Sequence, residues 1–509
     1  MPPGRVYLIG AGPGDPGLIS ARGVRLLAES DVIIYDKAVE AVLRWAPPQA
    51  ERIAAGAPAE RDTPQDAISM LLAEKARDGH VVARLKWGDP FVFDSGAKEA
   101  LFLHEQGIPF EVVPGIPPAT GSSAYAGVPV TYPGSGDAVV LLRGYEGESD
   151  SLPEIDWEAL ARIDGTLVCY AGPRLVPHVL TSLLAHGVEP DRPTALIFQG
   201  THPGQRTTTG TVRTMLDAVS TEGEGAPALL VVGEVAGFRN HLRWFDERPL
   251  FGRRVIVTRS PEQAGPLIDA LENLGAQAIE APTFRLAPAE DPEALERAAA
   301  SVDAFDWVVF ESATTVSRFL AALTQGPRDL RALGRVRLCA IGPSTAERLA
   351  ANGLKANVVV PEVRVDSIGD ALAAYDAIAG QHLLIVRPDH LRETLAAELI
   401  SRGATVTDLV AYRTEAASAD SPAAQRLYRM LLDGVIDAVT FTSPTAVSRF
   451  ANLVGEEQAA DLLNTTVVAT IGPVTAAAAR ELGVTGPLVP DTYTVDGLVR
   501  LLVEHFRVR

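Results

Sequence analysis

Cysteine is almost missing from this 509-residue chain. Cys169 and Cys339 are too few for a disulfide framework or a cysteine-lined metal site. Its histidines are scattered, with no H-E-x-x-H or similar ligand spacing, so no metal is expected. Lysine is confined to Lys37, Lys75, Lys86, Lys98 and Lys355, and any lysine-dependent chemistry must draw on these. No apolar run is long enough to span a bilayer, and the N-terminus lacks the charged-then-apolar pattern of a secretory leader. A cytoplasmic protein without a membrane partner is the expectation. The net charge of -19 argues against nucleic acid as a partner, whereas a small anionic ligand answers to the local field of its pocket.

What the chain does have is alternation. Strand-like runs (VYLIG, DVIIYD, VVARL, FEVVPG, AVVLL, TLVCYAG, ALIFQG, ALLVVGEV) alternate with helix-length segments, the pattern of an α/β protein. WFDERPLFGRR breaks that rhythm before a new strand, VIVTR. The expected organisation is a domain over 1–246 with lobes of about 1–115 and 116–246, a linker at 247–251, and a second domain over 252–509.

The second half repeats itself. GRRVIVTRSPEQAGPLIDALENLGAQ is echoed by GQHLLIVRPDHLRETLAAELISRGAT, so Arg259 answers Arg387 and Gly275 answers Gly403. FDWVVFESATTVSRF is echoed by IDAVTFTSPTAVSRF, and CAIGPSTAERLAANGL by ATIGPVTAAAARELGV. A period of about 130 residues is too long for a solenoid and implies two similar α/β lobes around a ligand cleft. The first strand–helix unit and its echo each lead into an extended stretch, APTFRL or VAYRTE. Pairing of these stretches would make a two-stranded hinge (282–287 and 410–415). One lobe would then comprise 252–281 with 416–509, and the other 288–409.

Each repeated strand runs into a hydroxyl- or glycine-bearing loop and then a helix: ESATT, IGPST, TSPTA and IGPVT. Backbone N–H groups at such helix starts bind carboxylates without lysine. Each loop alone is equally an ordinary N-cap. Together they suggest an anion-orienting cleft, with Arg259, Ser312, Thr314, Gly342, Ser344, Thr442, Ser443, Gly472 and Thr475 as its candidate ligand contacts.

In the first half, VYLIGAGPGDPGL looks like a dinucleotide loop but is not one. The third glycine of G-x-G-x-x-G is Asp15, and Pro13 has no N–H to offer a phosphate. The turn suits a nucleoside-like ligand without phosphates, or no ligand at all.

By its two-lobed repeat, FTSPTAV, AIGPSTA, AYRT and PDTYTVDGLV, the second half resembles uroporphyrinogen-III synthase. That resemblance implies two Rossmann- or flavodoxin-like parallel lobes. It also implies cyclisation of hydroxymethylbilane to uroporphyrinogen III with inversion of ring D, and a role for Tyr412 as the leaving hydroxyl departs. By GAGPGDPGL, ARLKWGDPFVF, VVPGIPPATG, QGTHPGQRTTTGTV and LLVVGEVAGFR, the first half resembles the uroporphyrinogen-III C-methyltransferases of the tetrapyrrole methylase family. The implied methyl donor is S-adenosylmethionine, and Pro13, Gly88, Asp89, Val92, Pro117, Pro118, Ala171 and Gly200 fall on its contact positions. Asp36 falls on a residue proposed to move a proton together with a lysine. Here that lysine is Ala57, Trp87 replaces a glycine, and Asp94-Ser95 replaces Gly-Arg. Slow methyl transfer is therefore expected, with Lys37 or Lys86 as stand-ins. A degenerate methylase serving as scaffold, and a non-catalytic tetrapyrrole sensor, remain alternatives. A homodimer through the methylase half is implied by the resemblance alone.

Overall fold

Near-continuous apolar runs become central strands, because a parallel sheet covered by helices on both faces needs no polar alternation. The computed structural model describes residues 4–47, 49–55, 65–144, 155–172, 175–219, 228–259, 261–281, 284–326, 328–360, 365–389 and 394–507. Contacts divide the chain into two units, Met1–Val255 with Asp269–Ala278 and Leu502–Arg509, and Ile256–Ile268 with Ile279–Leu501.

The first unit contains two five-stranded sheets. In one, β1 (Arg5–Gly10), β2 (Val32–Asp36), β3 (Glu51–Ala55), β4 (Val81–Lys86) and β5 (Phe110–Val113) lie in the order β3-β2-β4-β1-β5. All its pairings are parallel. Ile9, Ile33 and Leu85 pack on one face, and Leu8, Ile34 and Val82 on the other. The second sheet holds β6 (Ala138–Gly144), β7 (Gly165–Ala171), β8 (Pro193–Phe198), β9 (Arg206–Thr211) and β10 (Ala228–Val232), in the order β6-β7-β10-β8-β9. Only β6 and β7 run parallel; the other pairs are antiparallel. The stretch 247–251 is no loose linker. Leu250 is fully buried, and the Phe251 ring meets Phe245.

Beyond it come β11 (Arg254–Val257) and β12 (Gln277–Glu280), then β13 (Phe284–Ala287), β14 (Trp307–Phe310), β15 (Arg337–Ile341), β16 (Val358–Val360), β17 (His382–Pro388) and β18 (Thr405–Ala416), and finally β19 (Ala438–Phe441) and β20 (Val467–Thr470). They form sheets ordered β12-β11-β19-β20 and β13-β18-β17-β14-β15-β16. The chain thus leaves one lobe, builds the other and returns. β13 pairs antiparallel with the end of β18, Phe284 opposite Ala416 and Ala287 opposite Arg413. A lobe border between 409 and 410 does not show as a break, because Leu409, Ala411 and Tyr412 belong to one core and carry β18 straight through. Residues 282 and 283 of the expected hinge lie outside the described residues. Among the described residues no helix is long and apolar enough to cross a membrane.

Candidate functional site

Open α/β sheets take ligands at the carboxyl ends of their strands, where successive connections leave in opposite directions. In the first sheet that crevice lies between β1 and β4. The loops after these strands are joined by reciprocal backbone hydrogen bonds, Gly12 N–H to the Gly88 carbonyl (3.2 Å) and Gly88 N–H to the Gly12 carbonyl (2.8 Å). Gly10, Gly88 and Gly115 crowd together: a β-carbon on Gly10 or Gly115 would stand within 3 Å of the others' backbone. Gly88 adopts φ +69, and its missing β-carbon would lie 2.6 Å from Pro118 Cδ. Asp89 ties this loop to the next by accepting from Phe91 N–H (2.8 Å) and Gly115 N–H (3.0 Å).

The second lobe closes on the same place. Gly200 packs against Ser122, and Pro13 against Gly121. The Thr201 hydroxyl accepts from Asp15 N–H at 3.1 Å, and the Tyr125 hydroxyl donates to Asp15 at 2.8 Å. Phe93, Gln199 and Thr201 are the described non-glycine residues with positive φ, and all three sit here. Backbone strain of this kind gathers at ligand sites. Pro13, Gly88, Asp89, Val92, Pro117, Pro118 and Gly200 are thus brought into one cleft. The buried Ala171 lies at the end of β7, beside Tyr170, whose hydroxyl accepts from Ala119 N–H.

Beneath the cleft lies a buried charge network that sequence reasoning missed. Asp36 accepts from Arg84 Nη2 (2.6 Å) and from Trp87 N–H (3.0 Å), so its carboxylate is committed to structure. Its expected lysine partner, now Ala57, lies outside the described residues. Lys86 is neither solvated nor facing the cleft: it is fully buried, with Nζ 2.9 Å from Asp94, 3.0 Å from Glu99 and 2.9 Å from Ser95 Oγ. Burial pushes the Asp94 carboxyl up against the opposing pull of Lys86. Trp87 does not simply crowd the opening. Its indole donates to the Pro13 carbonyl at 2.8 Å and packs against the cores of both lobes. Within RLKWG, Arg84 and Lys86 thus enter the charge network, Leu85 the core, and Trp87 and Gly88 the cleft loops; only the strand period hints at the first of these alternations.

The second unit has two such crevices, one per sheet: between β11 and β19, and between β14 and β17. Arg259 emerges at the first. Its Nε is buried without a hydrogen-bond partner, and burial lowers the guanidinium's hold on its proton. Thr442 follows β19 in the same crevice. Ser312 and Ser443 accept from the N–H groups of Thr315 and Ala446, so they are genuine N-caps. Gly342 and Gly472 start their helices with no side-chain cap; Thr345 N–H turns back to the Gly342 carbonyl at 3.2 Å, and the remaining first-turn N–H groups are left to an outside acceptor. Ser344 is exposed, whereas Thr475 is buried and offers only its backbone. Thr314 receives a hydrogen bond from Gln263 across the lobes at 3.4 Å. Tyr412 is 5 % exposed, its hydroxyl 3.4 Å from Ser312 Oγ, and burial raises its pKa. Arg318 lies over its ring, 5.4 Å from the centroid. Arg318 and its repeat counterpart Arg449 stand in the twin SRF triplets, where arginine one turn into a helix reads as an ordinary surface residue.

Comparison with known proteins agrees with this division. A family model for tetrapyrrole (corrin/porphyrin) methylases matches residues 5–216, and one for uroporphyrinogen-III synthase HemD matches 265–500. A porphyrin biosynthesis protein HemD from Ruminiclostridium josui is 31% identical over 99% of this chain and 98% of its own length. A uroporphyrinogen-III C-methyltransferase from Bacillus subtilis is 35% identical, over 71% of this chain and 74% of its own. Among solved structures, the uroporphyrin-III C-methyltransferase of Thermus thermophilus complexed with S-adenosylhomocysteine is 36% identical, covering 46% of this chain and 99% of that one at a TM-score of 0.40. The chain belongs to the family in which a tetrapyrrole methylase is fused to a uroporphyrinogen-III synthase.

Proposed function

We propose that the chain is a bifunctional enzyme of tetrapyrrole synthesis. Its second unit cyclises hydroxymethylbilane to uroporphyrinogen III, and its first methylates that product toward precorrin-2 and sirohaem. The observation that carries the reading is Arg259, a partly buried cation whose Nε has no hydrogen-bond partner, at the crevice between β11 and β19, with the uncapped Gly472 helix start after the neighbouring β20. An arginine left so is costly unless an anion completes it. A polycarboxylate substrate supplies that anion.

Cyclisation requires the terminal hydroxyl to leave as water: the C–O bond breaks and the oxygen takes a proton. The Tyr412 phenol, kept protonated by burial, is placed to donate a hydrogen bond to that oxygen. The uncapped turns and Arg259 hold the carboxylates so that the two chain ends meet, which is catalysis by alignment.

In the first unit the residues fit S-adenosylmethionine, because a side chain on Gly88 would close the loop against Pro118 and Pro13 has no N–H to offer a phosphate. Bound there, it supplies a methyl group activated by its sulfonium charge. The chain's part is to hold donor and acceptor in line: Asp89 fixes the Gly88 loop, and Trp87 fixes the Pro13 turn.

Arg259→Gln is expected to raise the KM for hydroxymethylbilane roughly ten- to hundredfold, the value of a charge-assisted hydrogen bond. Isomer analysis of the full chain's product reads it. An unchanged KM would remove Arg259 from the site.

A further inference from the structure

The two crevices of the second unit are not equivalent. By the internal repeat, Arg259 corresponds to Arg387, and Thr442 to Glu311. One crevice therefore pairs an arginine with a hydroxyl, and the other pairs an arginine with a carboxyl. Arg387 is held by Asp408 at 2.6 Å. Glu311 leaves β14 at the crevice, with its N–H donating to the Val386 carbonyl at 3.2 Å, which ties its backbone to β17. Its Oε2 is buried and has no hydrogen-bond partner. The charged groups facing it are Arg387 from β17 and Asp408 from β18; Tyr412 and Arg318 meet the adjoining Ser312 and helix instead. Burial outweighs the attraction of Arg387, Asp408 adds repulsion, and the Glu311 carboxyl is pushed up to about 7. Near neutrality the group exists in both forms.

We propose that Glu311 governs entry of a substrate carboxylate to the second crevice: the neutral acid admits it beside Arg387, and the ionised form repels it. The inference rests on the synthase reading above and adds to it. With Glu311 protonated, Arg387, Asp408 and Glu311 sum to no charge. Once ionised they carry an excess negative charge in a desolvated setting, against a substrate that is itself a polyanion. At the other crevice Thr442 does not titrate, so only one lobe responds to pH.

The test measures KM and kcat for hydroxymethylbilane with the full chain between pH 6 and 8, for wild type, Glu311→Gln and Glu311→Thr. Wild-type KM is expected to climb above the carboxyl's titration toward about tenfold per pH unit, the limit for one linked proton. Its kcat is expected to stay level. Both variants are expected to show a flat KM, and Glu311→Thr copies the residue of the other crevice. A variant that keeps the wild-type slope overturns the proposal, as does a wild type with no slope. Should Glu311→Gln melt early, Glu311→Thr alone decides in the same way. If wild type makes no type III isomer at any pH, the synthase reading itself falls, a result distinct from loss of the slope.

Discussion

Exchanging Lys86 for methionine is expected to cost the first unit about 3–5 kcal/mol of stability, because one partner of a buried ionic cluster is removed while the others stay. Lys86 Nζ touches Asp94, Glu99 and Ser95, and Lys86 and Glu99 are wholly buried. Methionine fills much the same volume but leaves Asp36, Asp94 and Glu99 with Arg84 as the cation they share. The carboxylates can relieve the repulsion only by taking up protons, so the loss should be smaller at pH 5 than at pH 8. Urea unfolding followed by tryptophan fluorescence is well suited, since Trp45, Trp87, Trp157 and Trp244 lie in this unit and Trp307 in the other. Adding Glu99→Gln should recover part of the deficit. Equal stability of the variant and wild type at pH 8 would show that the cluster does not act as an ionic unit.

Gly88→Ala is expected to reduce methyl transfer more than a hundredfold while leaving cyclisation by the same chain intact. A side chain at φ +69 costs about 1–2 kcal/mol in backbone strain alone. The new methyl would also meet Pro118 Cδ at 2.6 Å, and a proline ring cannot rotate away. The loop must back off although both its backbone bonds to Gly12 resist. A displacement of about 1 Å in a site that works by alignment is worth roughly a hundredfold in rate. Calorimetric titration with S-adenosylmethionine separates lost binding from lost alignment, and the intact synthase activity vouches for the fold. Methylation at the wild-type rate would mean that the donor does not depend on this loop.

Much of this was legible in the sequence for a physical reason. A strand buried on both faces has to be apolar, and a turn into a helix has to use small or hydroxyl residues, so VYLIG, GAGPGD and FTSPTAV announce both fold and crevice. The internal repeat exposed the out-and-back path of the chain. What stayed hidden were pairings between residues distant in sequence whose identity alone is neutral. Lys86 reads as a solvated or salt-bridged lysine, and only the fold shows which: the segment after β4 and the helix Gly96–Glu105 bring Asp94 and Glu99 to its Nζ. Glu311 sits inside a loop whose letters are dominated by hydroxyls. Its interest lies in what it lacks, a hydrogen-bond partner, and no string of letters displays that. Trp87 reads as an obstruction on the page, because the carbonyl it bonds to belongs to Pro13.

The order β12-β11-β19-β20 has a consequence for how the chain is made. β11 emerges from a ribosome early, but the strand that covers its second edge, β19, follows only after residues 258–437 have been added. At about 5–20 residues per second that interval is on the order of ten seconds or more. Through it the sheet β13-β18-β17-β14-β15-β16 can form complete, while β11 waits with an open row of N–H and C=O groups, the kind of edge on which strands from other chains settle. Reciprocal bonds finally shut that edge, Thr258 Oγ1 to the Thr440 carbonyl at 2.9 Å and Thr440 Oγ1 to the Ile256 carbonyl at 2.8 Å. A strand made nearly two hundred residues later therefore acts as the clasp of the lobe that β11 begins.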